Sequence, residues 1–517
     1  MDGINNSGFE QPLTQVQALS LRSAGHHAAR SITEADKQEK QNLSLQDLDS
    51  DTLSMIFCHL KLRDIRSLQK VCTRLREVIK EDNTLAKAWY RQFSSPHQNQ
   101  LGMTITSKDK NQLRAWFESF SNDQALIKSL TDRQLTSVYS PALLFFTRAK
   151  LMSQCETFEL VTKASIDIKC DVYSAKLSAD GRYLVTANED HTAKIYGQKA
   201  DETWDKETSI PYDFWVQLAT FSNDSQHLVT ASLDGRAKIY DLVRNESWEP
   251  NTTIAHGSPI LSAAFSTDCQ HVVTASGDRT AKIHSQKRDG SWKLTATLRH
   301  KRAVWSASFS TDGRYVVTAS YDNTAKIHKQ VVDELWEEID VIPHNELVCS
   351  ATFSPNGHYL VTASVDHTAK IYEKKSDVSW EKNTIIRHEK PLRSATFSPD
   401  GHHLVIACQD GTVKICSRKA NGLWEEKATF SHKHCALSAT FSPDGRHLVT
   451  ASRDKTAKII GQQDDGTWLE KARIVHDGPI LSATFNADGS QVITSSEDGI
   501  VRITELRRNH LLSAVTE

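Results

Sequence analysis

Residues 437–459 read LSATFSPDGRHLVTASRDKTAKI, and the fold is decided in that stretch. Leu437 to Phe441 reads as a strand, a, followed by the turn Ser442-Pro443-Asp444-Gly445. His447 to Ser452, rich in β-branched and apolar residues, is strand b, and the turn at Asp454 leads to strand c, Thr456 to Ile460. A second turn, Asp464-Asp465-Gly466, precedes strand d, which begins at Trp468 and ends before His476. Short strands parted by Gly, Pro and Asp turns at regular spacing predict all-β structure.

Outward from this stretch, the unit repeats. Asp454 belongs to the column Asp190, Asp234, Asp278, Asp322, Asp366, Asp410, Asp454 and Asp498, each 44 residues after the last. Trp204, Trp248, Trp292, Trp336, Trp380, Trp424 and Trp468 run in step, as do His256, His300, His344, His388, His432 and His476. In the first two units the His column meets Ile168 and Tyr212 instead. A period of 44 suits a four-stranded blade. Such a sheet is apolar on both faces, so each must stack between two others, and a ring gives every blade two neighbours.

The last unit ends near Leu506 without a strand d, while Thr157 to Lys163 lies upstream of the first strand a. Leu160 in that segment sits 44 residues before Trp204. The segment is expected to complete the last blade, zip the chain ends together and leave no long open edge. Eight blades follow.

These units resemble WD-repeats over about residues 157–506. The resemblance implies a β-propeller and a hydrogen-bonded tetrad: His before strand a, Ser or Thr on strand b, Asp in the b–c turn and Trp on strand c. The Asp is present in all eight units, and Thr or Ser on strand b, as at Thr450 and Ser452, in most. The strand-c Trp is replaced by Tyr196, Tyr240, His284, His328, Tyr372, Cys416, Ile460 and Thr504, so at most three members are expected.

The N-terminal third differs. Residues 1–42 are polar and without periodicity, and are expected to be a disordered tail. From Leu45 to Ile79 apolar residues recur at helical spacing, with Asp64 placed to cap a helix. Leu48-Asp49-Ser50-Asp51, Ile56-Phe57-Cys58-His59-Leu60, Arg63-Asp64-Ile65 and Val71-Cys72-Thr73-Arg74-Leu75 resemble an F-box, the module that docks on the Skp-type adaptor of cullin-RING ubiquitin ligases. The usual early Pro is Asp49 here, and the usual Trp after Val-Cys is Leu75. The resemblance implies a module over residues 43–83 in which Leu48, Ile56, Phe57, Leu60, Ile65, Leu68 and Val71 grip the adaptor. A generic helical cap is the alternative.

Residues 84–153 read as a helical linker with Trp89, Leu113, Trp116, Phe117, Phe120 and Leu143 to Phe146 on its apolar faces. The expected fold is therefore mainly β. An eight-bladed WD-repeat β-propeller at 154–506 follows the small all-α F-box-like and linker regions, with a tail at 507–517.

Lys plus Arg number 62 against 64 Asp plus Glu, and a net charge of −2 gives no whole-chain attraction to nucleic acid or acidic membrane. Neither is expected as a partner. The longest apolar run, Ala142 to Phe146, is far short of the roughly 20 residues that span a bilayer, and no secretory leader is visible. Nine dispersed Cys without a CxxC predict free thiols in the cytoplasm or nucleus, or in a host cytosol for a secreted microbial effector.

No phosphate loop, nucleophile elbow or zinc pattern occurs, so no catalytic residue, metal ligand or cofactor is expected. One Asp per blade suits turn chemistry, and one His per blade cannot gather into a tetrahedral metal site. Function is expected where the repeats differ. Five residues beyond the His column stand Tyr173, Gln217, Leu261, Trp305, Cys349, Arg393, Leu437 and Leu481. Before each turn Asp stand Glu189, Leu233, Gly277, Tyr321, Val365, Gln409, Arg453 and Glu497.

Both columns belong to loops expected on one face, around the channel. Arg302, Trp305 and Tyr321 on blade 4, Lys390 and Arg393 on blade 6 and Arg453 on blade 7 form a basic arc with aromatics. Glu189, Asp477 and Glu497 fall on blades 1 and 8. Arg pairs bidentately with phosphate, so the arc is expected to hold an acidic or phosphorylated protein target, Arg393 and Arg453 on the anionic group. Solvated loop charge is the alternative.

The function expected is a substrate receptor that links a target held by the propeller to the cullin ligase core through the F-box. Two readings stand beside it. One is a WD-repeat scaffold without ligase connection, including a microbial effector acting in a eukaryotic host; the other is an enzyme with its pocket in the channel.

Overall fold

The computed structural model describes residues 84–106, 108–121, 123–125, 127–128, 141–243, 247–332 and 335–509. The seven F-box positions from Leu48 to Val71 lie outside the described residues, as do residues 1–42 and 510–517; the propeller ends later than the expected 506, because the last strand runs on to Arg508. The chain divides into two compact units, residues 1–90 and 91–517. Of the first, helix α1 (Thr84–Tyr90) is described, with Ala86, Ala88 and Trp89 buried.

The second unit is the eight-bladed propeller with helices α2 (Ser95–Thr106), α3 (Lys110–Glu118) and α4 (Pro141–Ser153) before it. Its eight sheets have four antiparallel strands each. Blade 7 shows the pattern with strands a Ala436–Phe441, b His447–Ser452, c Thr456–Gln462 and d Trp468–Val475. Strand b is buried at every position, which is why it reads as a continuous run of Leu, Val, Ala and small hydroxyl residues. Strand d is exposed at Leu469, Arg473 and Val475 and forms the outer edge.

Adjacent blades share their cores. Tyr359, Val361 and Ile371 of blade 5 pack with Leu392, Leu404 and Trp424 of blade 6. The strand-d Trp wedges between blades. Trp424 meets Phe397 of its own blade at 5.4 Å and Tyr359 of the preceding blade at 6.0 Å, both edge-on. Burying such an indole stabilises the contact by a few kcal/mol, on the order of ~3.

The ring closes through strand β1 (Phe158–Asp167), which pairs antiparallel with the last strand, Ile500–Arg508. Leu160 faces Leu506, and the segment completes the last blade as expected. The strand is longer than the expected Thr157 to Lys163, because pairing resumes beyond Lys163 with Ala164 opposite Ile503 and Ile166 opposite Val501. Lys163 is an unpaired bulge residue, and the break in alternation there ended the sequence reading too early.

The helices fasten onto the a–b turns of blades 7 and 8. Asp109 caps α3 in a reciprocal box with Gln112, and Trp116 of α3 meets Phe145 of α4 at 5.6 Å. Lys108 pairs with Asp488 at 2.9 Å, His97 shares a hydrogen bond with the Pro443 carbonyl at 2.8 Å, and Lys471 donates to the carbonyls of Met152, Ser153 and Cys155 at the end of α4. Burial pulls the Lys471 ammonium down to about 8, and the three carbonyls are its compensation. Of the apolar residues expected here, Leu113, Trp116, Phe117, Phe120, Leu144 and Phe145 are buried, while Leu143 and Phe146 are partly exposed.

No helix of the described residues is long and apolar enough to cross a membrane.

Candidate functional site

The d–a and b–c loops surround one mouth of the channel, and a buried network holds them. In blade 3, His256 Nδ1 lies 2.9 Å from Asp278 and Nε2 lies 2.8 Å from Thr274. Asp278 also accepts the Gly257 N–H at 3.0 Å, which fixes the d–a loop against the b–c turn. Blades 4, 5, 7 and 8 repeat this around His300, His344, His432 and His476. The three expected members are all joined here, and a further group outside the tetrad reinforces them. Thr280, at the start of strand c, donates to Asp278 at 2.6 Å and lies 3.2 Å from His256, supplying a fourth polar group in place of the absent Trp. Burial alone would raise the turn carboxyls, but hydrogen bonds from Thr, the loop N–H and His outweigh it and hold Asp278, Asp322, Asp366 and Asp454 at about 2.

Three blades depart. Tyr212 takes the His place in blade 2 and reaches Thr230 with its hydroxyl at 2.5 Å. In blade 1 the Ile168 side chain has no polar group to offer the turn, and Asp190 turns to Lys194 at 2.6 Å. In blade 6 Ile406 stands where Thr is needed, and neither ring nitrogen of His388 has a hydrogen-bond partner among the described residues.

The variable column has a physical cause. In blade 6, Leu392 pairs with Cys408 and Ser394 with Ala407, so Arg393 is an extra residue, a β-bulge at the channel end of strand a. The same shift occurs in all eight blades and leaves Tyr173, Gln217, Leu261, Trp305, Cys349, Arg393, Leu437 and Leu481 unpaired in register. A bulged residue carries no ladder constraint, so its side chain is free to vary.

On the basic side, Trp305 and Tyr321 stack at 5.3 Å with 14° between the rings. Arg393 is half-buried and acts electrostatically on both Tyr321 and Cys349, so it reaches across blade 5 toward that stack. Arg302, Lys390 and Arg453 stand exposed on separate loops. None of these four cations is ion-paired with a carboxylate among the described residues.

Two features escaped the sequence reading. The channel wall is laced by hydroxyls that donate to the next blade's strand a: Ser308 to Ala351, Thr352 to Ala395, Thr396 to Ala439 and Thr440 to Ala483, at 3.0 to 3.5 Å. Their 44-residue spacing was the available signal. The other mouth is covered by this chain itself. His97 and Gln100 of α2 line a cavity of about 270 Å³ whose remaining walls include Leu177, Phe221, Pro399 and Phe441 from the a–b side.

Among the described residues no group of three His, Cys, Asp or Glu is gathered as a metal site would require.

Comparison with known proteins bears on this geometry. The family model "WD domain, G-beta repeat" matches residues 163–197, 213–241, 248–285, 292–329, 336–373, 380–417, 424–460 and 470–504. The model "F-box domain" matches residues 45–87, a span that holds all seven expected adaptor contacts. No curated protein matches the chain. Among solved structures, Sqt1 from Chaetomium thermophilum is similar at 15% identity and a TM-score of 0.58, covering 67% of this chain and 99% of that one. Sqt1 from Saccharomyces cerevisiae is similar at 13% identity and 0.58, covering 69% and 100%. The Chaetomium thermophilum protein is also solved bound to the N-terminus of the ribosomal protein L10, at 14% identity and 0.58, covering 67% of this chain and 100% of that one. At such identities the likeness shows the fold alone.

Proposed function

Because the chain belongs to the WD-repeat family and carries an F-box match ahead of its propeller, we propose that it is a substrate receptor of a cullin-RING ubiquitin ligase. Propellers of this family are in general binding scaffolds, and the role needs no chemistry from the chain. The observation that carries the reading is the order of parts: an F-box at 45–87, then eight WD repeats. The F-box grips a Skp-type adaptor through Leu48, Ile56, Phe57, Leu60, Ile65, Leu68 and Val71. The propeller holds the target, and tethering raises the effective concentration of its lysines near the transfer site.

The target segment is acidic or phosphorylated in this reading. Arg393, which acts electrostatically on Tyr321, and the exposed Arg302, Lys390 and Arg453, none ion-paired among the described residues, offer charge on the same mouth as the flat Trp305–Tyr321 stack, a combination that suits an anionic peptide.

Co-purification with a Skp-type adaptor tests the ligase connection. Wild type retains the adaptor, and Leu60→Glu with Ile65→Glu releases it. An adaptor that never associates with the wild-type chain would leave the second reading, a WD-repeat scaffold for protein assembly. That reading is favoured by the solved Sqt1 propeller that holds the N-terminus of another protein.

A further inference from the structure

Across the same mouth from Arg393, blades 8, 1 and 2 present a surface of opposite character. Four rings run in succession. Tyr173 lies 6.0 Å from Trp215, Trp215 stacks on Phe214 at 5.2 Å with 29° between planes, and Phe214 stacks on His191 at 5.7 Å with 24°. Tyr173 is the bulge residue of blade 1, Phe214 and Trp215 sit in the loop entering blade 2, and His191 occupies the b–c turn with a φ of 64°. Phe214 is 45% exposed.

The fold does not require these rings. The places of Phe214 and Trp215 are taken in blade 3 by Ser258 and Pro259, and in blade 8 by Gly478 and Pro479. An exposed aromatic run kept where small residues suffice is a surface built to be covered.

Carboxylates surround it. Burial together with the charges of Glu189, Asp171 and Glu497 pushes the Tyr173 phenol up to about 12, which places all three acids near that ring. Neighbouring acids are already neutralised, Asp213 by Arg236 at 2.8 Å and Asp190 by Lys194 at 2.6 Å. Among the described residues no Lys or Arg is ion-paired with Glu189, Asp171 or Glu497. An apolar or anionic partner laid on the rings would desolvate these acids without compensation. A cation compensates them and also gains from the ring faces, and a guanidinium is flat enough to do both at once.

We propose that the Tyr173–Trp215–Phe214–His191 surface binds an arginine-bearing protein segment, the guanidinium lying on Phe214 and Trp215 and paired with Glu189 or Glu497. The site is separate from the basic arc and does not depend on it. The mouth is thereby polarised, with an anion-selecting side on blades 4 to 7 and an arginine-selecting side on blades 8, 1 and 2.

Fluorescence anisotropy of the full chain with a labelled Gly-Arg-Gly-Arg-Gly peptide tests this. Wild type binds the peptide. Phe214→Ser, which installs the blade-3 residue, weakens binding about tenfold, and Glu189→Gln with Glu497→Gln weakens it at least as much and flattens its salt dependence. Arg393→Glu with Arg453→Glu leaves it unchanged or tighter, even if those changes abolish capture of an acidic peptide. Absence of wild-type binding, or equal binding by Phe214→Ser and the double Gln variant, overturns the proposal.

Discussion

Arg148 Nη1 lies 3.6 Å from Asp444 Oδ2, with the two side chains only 1% and 2% exposed. The pair joins α4 to the a–b turn of blade 7, and the same guanidinium donates to the Gly489 carbonyl of blade 8. It anchors the linker helix to the ring at two successive blades. Arg148→Met strands a buried carboxylate and is expected to destabilise the unit by about 3–5 kcal/mol. Arg148→Met with Asp444→Asn removes both charges and recovers much of that loss. Urea denaturation of the two variants checks this; equal stability of single and double variants would contradict it.

The polar network predicts a second effect. Thr274→Val leaves His256 Nε2 without its 2.8 Å partner and is expected to destabilise blade 3 by about 1–3 kcal/mol. Hydrogen exchange at the Gly257 amide, which Asp278 holds, rises with it.

Acid is expected to weaken the ring in a defined window. Burial pushes His284, His328 and His388 down to about 4, so between the ordinary value of about 6.5 and that value the unfolded chain binds protons that the folded chain refuses. Stability therefore rises with pH across this window and falls as pH drops through it. His284→Tyr, the residue type found at the same place in blades 1, 2 and 5, flattens the dependence. Thermal melting of both proteins from pH 7 to 4 reads the difference.

Closure of the ring predicts a fourth. Ala164→Asp with Ile166→Asp places charges against Val501 and Ile503 and is expected to free β1. Melting falls by several degrees, and limited proteolysis cuts before Val172.

Why parts of the molecule were legible and others were not follows from where the period acts. Asp454 and its counterparts recur because each carboxylate accepts the N–H two residues on within its own turn, so the blade count, the strands of blade 7 and closure by the segment around Leu160 could be read directly. Arg393 and Trp305 were visible as variable positions, but the bulge that frees them was not, since an extra residue in every blade leaves the period at 44. Phe214 and Trp215 were missed because they stand two and three residues beyond the His column, between the positions that were compared from blade to blade. Lys471 looked like any strand-d lysine. Its role comes from α4, which lies outside the repeat and offers no column to read.

The claim on which the account turns is that the open mouth recognises an anionic segment through Arg393 and Arg453. A peptide array pairing each sequence with and without phosphate, probed by the full chain, tests it most directly. The account predicts preferential retention of phosphorylated or acidic peptides, reduced at least tenfold by Arg393→Glu with Arg453→Glu at unchanged melting temperature. Equal retention by the wild type and the charge-reversed chain would contradict it.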